Sequence, residues 1–135
     1  MPKASSRLAG LRVLVVDDEL LVALHIEALL EDLGCEVIGP VPTIEKALAV
    51  VRDEQLDGVL LDANLDGYSS APIAAELRAR GVPYVVVTGY GQLELASPAL
   101  TDAPRLSKPF NDTEFEATLT AAFCAHRRAS TTIEQ

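Results

Sequence analysis

Five polar residues that directly follow short apolar runs are of the types used in phosphoryl chemistry. They are Asp17, Asp18, Asp62, Thr88 and Lys108. Carboxylates that converge in a partly buried cleft must either take up protons or bind a cation. A hard divalent ion that keeps some of its waters, such as Mg²⁺, suits such ligands. Beside that ion an aspartate oxygen could attack a phosphoryl group, while a hydroxyl and an ammonium group stabilise the phosphoryl oxygens.

The segments between these residues read as strands that alternate with helices. Apolar runs predict strands over 11–16, 58–61 and 83–88, and shorter strands are predicted over 36–39 and 105–107. Apolar residues at helical spacing predict helices over 19–33, 44–52 and 71–80. Asn111 or Asp112 can cap a last helix that runs through Arg128. Thr43 is suited to capping the second helix, and Asp66-Gly67 is a turn signal. The periodicity is weakest over 92–103, where Leu93 to Ala96 could form at most a turn or two.

Such an alternation indicates an α/β fold with a parallel sheet and helices on both faces. Ligands of these sheets bind beyond the carboxyl ends of the strands. The five polar residues follow the first, third, fourth and fifth strands, so they would meet if the first and third strands are neighbours. A lone aspartate after a strand is usually a helix cap or a turn residue. The combination, rather than any single residue, predicts a site.

Composition bounds the class of protein. The chain has 135 residues, which fit one domain over 11–128 with an N-terminal extension (1–10) and a polar tail (129–135). The net charge of −9 argues against nucleic-acid binding, and solubility is its simplest explanation. Cys35 and Cys124 lack the spacing of a zinc or disulfide set and indicate reduced structural thiols. Without a signal peptide or a run long enough to cross a membrane, we expect a cytoplasmic protein.

Four motifs together resemble the receiver domain of bacterial two-component response regulators. They are Val16-Asp17-Asp18-Glu19, Leu61-Asp62-Ala63-Asn64, Val87-Thr88-Gly89 and Ser107-Lys108-Pro109-Phe110. The resemblance implies a flavodoxin-like (βα)5 doubly wound sheet with strand order 2-1-3-4-5.

The resemblance also implies a role for each site residue. Asp62 would be the phosphoacceptor. Mg²⁺ would be held directly by Asp18, Asp62 and the backbone carbonyl of Asn64, and through water by Asp17. Thr88 would donate a hydrogen bond to the phosphoryl group, and Lys108 would pair with it.

A receiver is phosphorylated by a histidine kinase or a histidine phosphotransfer protein, and it catalyses only its own phosphorylation and dephosphorylation. Because only a short tail follows Arg128, we expect a stand-alone receiver. Its output would be binding to an unidentified downstream protein, or draining phosphoryl groups as a phosphate sink. His25 and His126 are expected to be surface residues rather than phosphohistidines.

Several differences from common receivers resemble the FAT GUY subgroup, in which the fourth helix is short, mobile or absent. The loop after Asp62 lacks the usual Met-Pro, Gly89-Tyr90 follows Thr88, and Arg105 stands where many receivers carry a switch aromatic. In this sequence Val-Val replaces the Phe-Ala of the subgroup motif. Our hypothesis is that phosphorylation moves Thr88 and reorganises 89–103, with Tyr90 gating water. The alternative is that Tyr90 only packs on its loop.

Two other classes of function fit less well. A haloacid-dehalogenase-like phosphatase needs its nucleophile after the first strand and a second aspartate two residues later. Here Asp62 follows the third strand, and Asn64 stands two residues on. A degenerate receiver that signals without phosphate is not favoured by any residue, because all five site residues are present.

Overall fold

The computed structural model describes residues 7–89 and 98–124. The strands are β1 (Arg12–Val16), β2 (Glu36–Val41), β3 (Gly58–Asp62), β4 (Asn64–Leu65), β5 (Tyr68–Ser69), β6 (Tyr84–Thr88) and β7 (Arg105–Ser107). The α-helices are α1 (Leu20–Asp32), α2 (Ile44–Asp53), α3 (Ala71–Arg80), α4 (Pro98–Thr101) and α5 (Asp112–Leu119). A segment of π-helix, Thr120–Cys124, continues α5. Each strand and helix predicted within the described residues is found.

Among the described residues, five strands form a parallel sheet in the order β2-β1-β3-β6-β7. The short strands β4 and β5 form a separate antiparallel hairpin. With the hairpin left out of the numbering, the order is the predicted 2-1-3-4-5, so the flavodoxin-like fold is confirmed. In the register of the sheet, Val16 pairs with Leu61 and Asp62 pairs with Val87. The carboxyl ends of β1, β3 and β6 therefore lie side by side.

Helices cover both faces of the sheet, which explains why its strands lack polar alternation. Every residue of β3 and β6 is buried. Leu60 and Val85 point to one core with α1 and α5, whereas Leu61 and Val86 point to the other core with α2 and α3. Burying a side chain of this size contributes roughly 1.5–3 kcal/mol. These two cores hold the strand ends, and the residues that follow them, in fixed positions.

Local signals set the ends of several elements. The Thr43 side chain caps α2 by accepting from the Lys46 N–H. Asn111, the first of the two predicted candidates, caps α5 in a reciprocal capping box with Glu114. The fourth helix is short in the part of its region that the structure describes, where α4 is a single turn. Gly81 ends α3 in the left-handed conformation, with φ 71°.

Two features differ from the sequence prediction. Strand β2 runs to Val41 instead of ending at Gly39, because pairing with β1 resumes after an irregularity and the Asp17 N–H donates to the Val41 carbonyl. The β4–β5 hairpin was not predicted, although its Asp66-Gly67 turn was. Each strand of the hairpin has two residues, which is too short for a periodicity to show in the sequence.

Some predictions fall outside the described residues. They concern Tyr90, Leu93 to Ala96, His126, the end of the last helix at Arg128, and the segments 1–6 and 129–135. Within residues 7–89 and 98–124, no helix has the length and apolar character needed to cross a membrane.

Candidate metal centre

Three aspartates meet at the carboxyl end of the sheet. Asp17 and Asp18 follow β1, and Asp62 is the last residue of β3, the neighbouring strand. One carboxylate oxygen from each lies within 4.8 Å of the other two. Asp17 and Asp62 are each only 3% exposed, whereas Asp18 faces solvent. The convergence expected from the strand order is therefore present.

Each of the three carboxylates accepts a hydrogen bond from a main-chain N–H. The Glu19 N–H donates to Asp17 Oδ1 at 2.8 Å, and the Asn64 N–H donates to Asp62 Oδ1 at 3.2 Å. The Asp66 N–H, from the hairpin, donates to Asp18 Oδ2 at 3.0 Å. Hydrogen bonds to a carboxylate are stronger than neutral ones. The backbone thus orients all three side chains and leaves one oxygen of each without this main-chain bond.

A buried oxygen of Asp17 indicates that a cation would stabilise this cluster. Among the buried side-chain atoms of the described residues, Asp17 Oδ2 has no hydrogen-bond partner. The Lys108 Nζ atom is 3.7 Å away, which is too far for a hydrogen bond. An unsatisfied buried oxygen is unfavourable, and a cation would satisfy it. Carboxylate oxygens with one solvent-facing member suit a hard divalent cation that keeps some waters. The residues therefore fit Mg²⁺.

Burial and mutual repulsion change the acidity of the two buried aspartates. Burial first, and then the charge of Asp17, raise the pKa of Asp62 to about 7, against the opposing effects of Lys108 and the Asn64 N–H. Burial also raises the pKa of Asp17. Without a cation, the pair therefore retains a proton at a pH where ordinary aspartates have lost theirs.

Thr88 and Lys108 complete the site from β6 and β7. Thr88, the last residue of β6, is buried, and its carbonyl accepts from the Lys108 N–H at 2.8 Å. The Lys108 Nζ atom lies 3.8 Å from Asp62 Oδ2 and 3.0 Å from Glu19 Oε1. Burial opposes the charged form of Lys108, but the hydrogen bond to Glu19 and the two aspartate charges outweigh it and raise the lysine pKa. Lys108 is therefore a stable cation beside Asp62.

Sequence reasoning missed two contributors to this site. Glu19 follows the acidic pair in the first of the four motifs, and its side chain accepts a hydrogen bond from Lys108. Asp66 was identified only as a turn residue, and its N–H reaches Asp18. The position of Glu19 directly after the acidic pair is a sequence signal for its contact with Lys108. The second contact joins positions that are 48 residues apart, so local spacing does not reveal it.

Comparison with known proteins places the chain in a family. Residues 13–120 match the family described as the response regulator receiver domain. Over 113 residues the chain is 31% identical to the phyllosphere-induced regulator PhyR of Methylorubrum extorquens, covering 82% of this chain and 42% of that protein. More generally, the chain spans about half the length of the curated relatives it matches.

Solved structures agree with this match. SdrG from Sphingomonas melonis, solved in solution, is 38% identical with a TM-score of 0.75, covering 83% of this chain and 95% of SdrG. The receiver domain of the sensor histidine kinase PA1611 from Pseudomonas aeruginosa is 26% identical with a TM-score of 0.73, covering 86% of this chain and 99% of that domain. Its crystal structure has a magnesium ion coordinated in the active-site cleft. The chain therefore belongs to the response regulator receiver domain family of two-component signalling.

Proposed function

We propose that this receiver accepts a phosphoryl group on Asp62 from a histidine kinase or a histidine phosphotransfer protein. Mg²⁺ would be held by Asp17, Asp18, Asp62 and the backbone carbonyl of Asn64. The observation that carries the proposal is the convergence of three aspartate oxygens within 4.8 Å, with the Lys108 ammonium 3.8 Å from Asp62 Oδ2.

In the proposed reaction, Asp62 Oδ2 attacks the phosphorus of a phosphohistidine. The oxygen–phosphorus bond forms, the nitrogen–phosphorus bond breaks, and its electron pair stays on the imidazole. The Asn64 N–H bond to Oδ1 leaves Oδ2 facing Lys108, which supports this choice of oxygen. Lys108 would neutralise one phosphoryl oxygen, and Thr88 would donate to another. Bound Mg²⁺ supplies further charge neutralisation on the phosphoryl group.

The donor would approach over an apolar surface next to the site. Leu20, Leu21 and Leu24 on α1 are exposed, and Leu21 is 82% exposed. A cavity of about 370 Å³ beside them is lined by Leu21, Val22, His25, Lys108, Pro109 and Phe110. Because Lys108 belongs both to this cavity and to the site, a protein seated here would have Asp62 within reach. His25, predicted to lie on the surface, is exposed and contacts Phe110.

We further propose that the receiver domain spans 11–128, acts in the cytoplasm and catalyses no reaction beyond its own phosphorylation and dephosphorylation. Its output would be a downstream protein contact or a phosphate-sink role. Arg105, which replaces the usual aromatic, is exposed on β7. This supports our hypothesis that Thr88 moves on phosphorylation and the segment 89–103 reorganises, with Tyr90 gating the access of water. A beryllofluoride complex that shifts no NMR resonance in 89–103 would contradict this readout.

Incubation with acetyl phosphate and Mg²⁺, followed by intact mass measurement, tests the function. We expect one adduct of about 80 Da, the mass of a phosphoryl group, in the wild-type chain. It should be lost in Asp62→Asn and kept in Asp53→Asn, an exposed control on α2. No adduct in any variant would favour the degenerate binding module. Turnover of a small phosphomonoester would instead support the haloacid-dehalogenase-like phosphatase, although the position of Asp62 at the end of β3 argues against that class.

A further inference from the structure

We propose that the β4–β5 hairpin is a positioning element for Asp18, so that the order of the hairpin and the affinity for Mg²⁺ depend on each other. The inference rests on the proposed function, because it takes Asp18 to be a Mg²⁺ ligand. It assigns a role to the main chain of Asp66, which is not itself a ligand.

The need for such an element follows from burial. Asp17 and Asp62 are buried and held by packing, whereas Asp18 is exposed. An exposed carboxylate samples several rotamers, and each orientation away from the cluster weakens a shared metal site. The hydrogen bond that restricts Asp18 is the 3.0 Å contact from the Asp66 N–H, at the tip of the hairpin. Partners that orient a ligand in this way contribute strongly to metal affinity.

The hairpin tip is itself held from two sides. Asp66 and Gly67 both have positive φ, 51° and 86°, as in the two-residue type I′ turns that match the twist of a hairpin. The Gly67 N–H donates to Asn64 Oδ1 at 2.8 Å. Leu65, on the first strand, is buried in the core with α2 and α3. The Asp66 N–H is therefore presented to Asp18 from a defined loop.

The same hairpin also touches a second aspartate. It begins at Asn64, whose N–H donates to Asp62 Oδ1. Two of the three carboxylates thus share one short element as their hydrogen-bond donor. Coupling between two equilibria is reciprocal, so a cation that fixes Asp18 must also stabilise the hairpin. Tyr68 lies on the second strand of the hairpin and is 69% exposed, so a change in the order of the hairpin would alter the protein surface there.

A matched pair of glycine variants tests the positioning role. Gly67 and Gly81 both have positive φ, and a Cβ added at either would meet no atom within 4 Å. Gly67→Val and Gly81→Val therefore bring the same kind of backbone strain, and the new Cβ meets no neighbour at either position. By calorimetric titration, we expect Mg²⁺ to bind about tenfold more weakly to Gly67→Val, the lower end of the roughly 10- to 100-fold range for such partners. Binding to Gly81→Val should stay within about twofold of wild type.

A second measurement needs no metal. Asp18→Ala removes the acceptor, so the amides of Asp66 and Gly67 should exchange hydrogen about three- to tenfold faster than in wild type. Asp53→Ala, on the exposed end of α2, should leave them unchanged. Unchanged exchange in Asp18→Ala, or equal Mg²⁺ affinity in the two valine variants, would overturn the inference and leave the proposed function standing. A wild-type chain that bound no Mg²⁺ would overturn both.

Discussion

Lys108 lies closer to Glu19 than to Asp62, with Nζ 3.0 Å from Glu19 Oε1 and 3.8 Å from Asp62 Oδ2. Glu19 is exposed, and its own N–H holds Asp17. The lysine is thus shared between a solvent-facing glutamate and the buried Asp62. A phosphoryl group on Asp62 would add negative charge within reach of the lysine and compete with Glu19 for it.

Glu19→Gln should weaken the competition between Glu19 and a phosphoryl group for Lys108. The amide keeps a hydrogen-bond acceptor but loses its charge, so Lys108 will be available to an incoming phosphoryl group. We expect phosphorylation by acetyl phosphate to be about two- to fivefold faster, consistent with a partly exposed ion pair worth roughly 0.2–1 kcal/mol. Glu31→Gln, exposed on the same helix, serves as the control. A rate that is unchanged or lower in Glu19→Gln would contradict this competition.

Lys108→Ala should separate phosphoryl transfer from metal binding. Loss of a charge-assisted contact to the reacting phosphoryl group should slow phosphorylation by about 100-fold or more. Mg²⁺ binding should be retained or tightened, because the lysine is a competing cation 3.7 Å from Asp17 and 3.8 Å from Asp62. Stopped-flow phosphorylation and Mg²⁺ titration measure the two effects. If Mg²⁺ binding were lost together with phosphorylation, the assigned role of Lys108 would be wrong.

Asp62→Asn should stabilise the metal-free protein at alkaline pH. The folded pKa of about 7 lies above the ordinary 3.8, so the folded state binds this proton more tightly than the unfolded state. The contribution of Asp62 to stability therefore falls as pH rises from about 4 to about 7, and stays low above that. We expect Asp62→Asn to gain about 1–3 kcal/mol at pH 8 and nothing near pH 4.

Thermal unfolding of both proteins at the two pH values, with and without Mg²⁺, provides the measurement. Mg²⁺ should stabilise the wild type at pH 8 and erase most of the advantage of the variant, because the cation relieves the same repulsion. The prediction fails if Asp62→Asn is less stable than wild type at pH 8 without metal.

Leu21→Glu should block a protein donor but not a small-molecule donor. Leu21 is exposed on the apolar surface beside Lys108 and is absent from both buried cores, so the fold should tolerate the change. We expect phosphotransfer from a cognate kinase to fall at least about tenfold, since a charge in an apolar contact is unfavourable. Phosphorylation by acetyl phosphate should be unchanged. Ala49→Glu, exposed on α2, is the control, and equal losses with both donors would argue against docking at this surface.

The positions of the main strands along the chain could be predicted from the sequence, because burial on both faces makes these strands continuous apolar runs. Gly58–Asp62 and Tyr84–Thr88 are such runs, and their ends carry Asp62 and Thr88. Once neighbouring strands are parallel and in register, the convergence of the aspartates follows. The order of the strands itself came from the family resemblance rather than from any local pattern.

What the sequence did not reveal depends on contacts between distant segments. Gly39-Pro40 is normally a turn signal, yet β2 continues through Pro40 to Val41. It does so because Val41 pairs with Val16 of β1 and its carbonyl accepts from the Asp17 N–H. The hairpin after Asp62 forms around a turn that was recognised, but its contact with Asp18 spans 48 positions. Lys108 and Glu19 are 89 positions apart, and only the fold brings them together.

The main-chain donors to the three aspartates have an evolutionary consequence. Glu19, Asn64 and Asp66 hold these carboxylates through their N–H groups, and every residue except proline has such a group. Substitutions at position 19 can therefore alter reaction rate, partner choice or surface charge without dismantling the aspartate cluster. A receiver built in this way can diversify immediately beside its most constrained atoms.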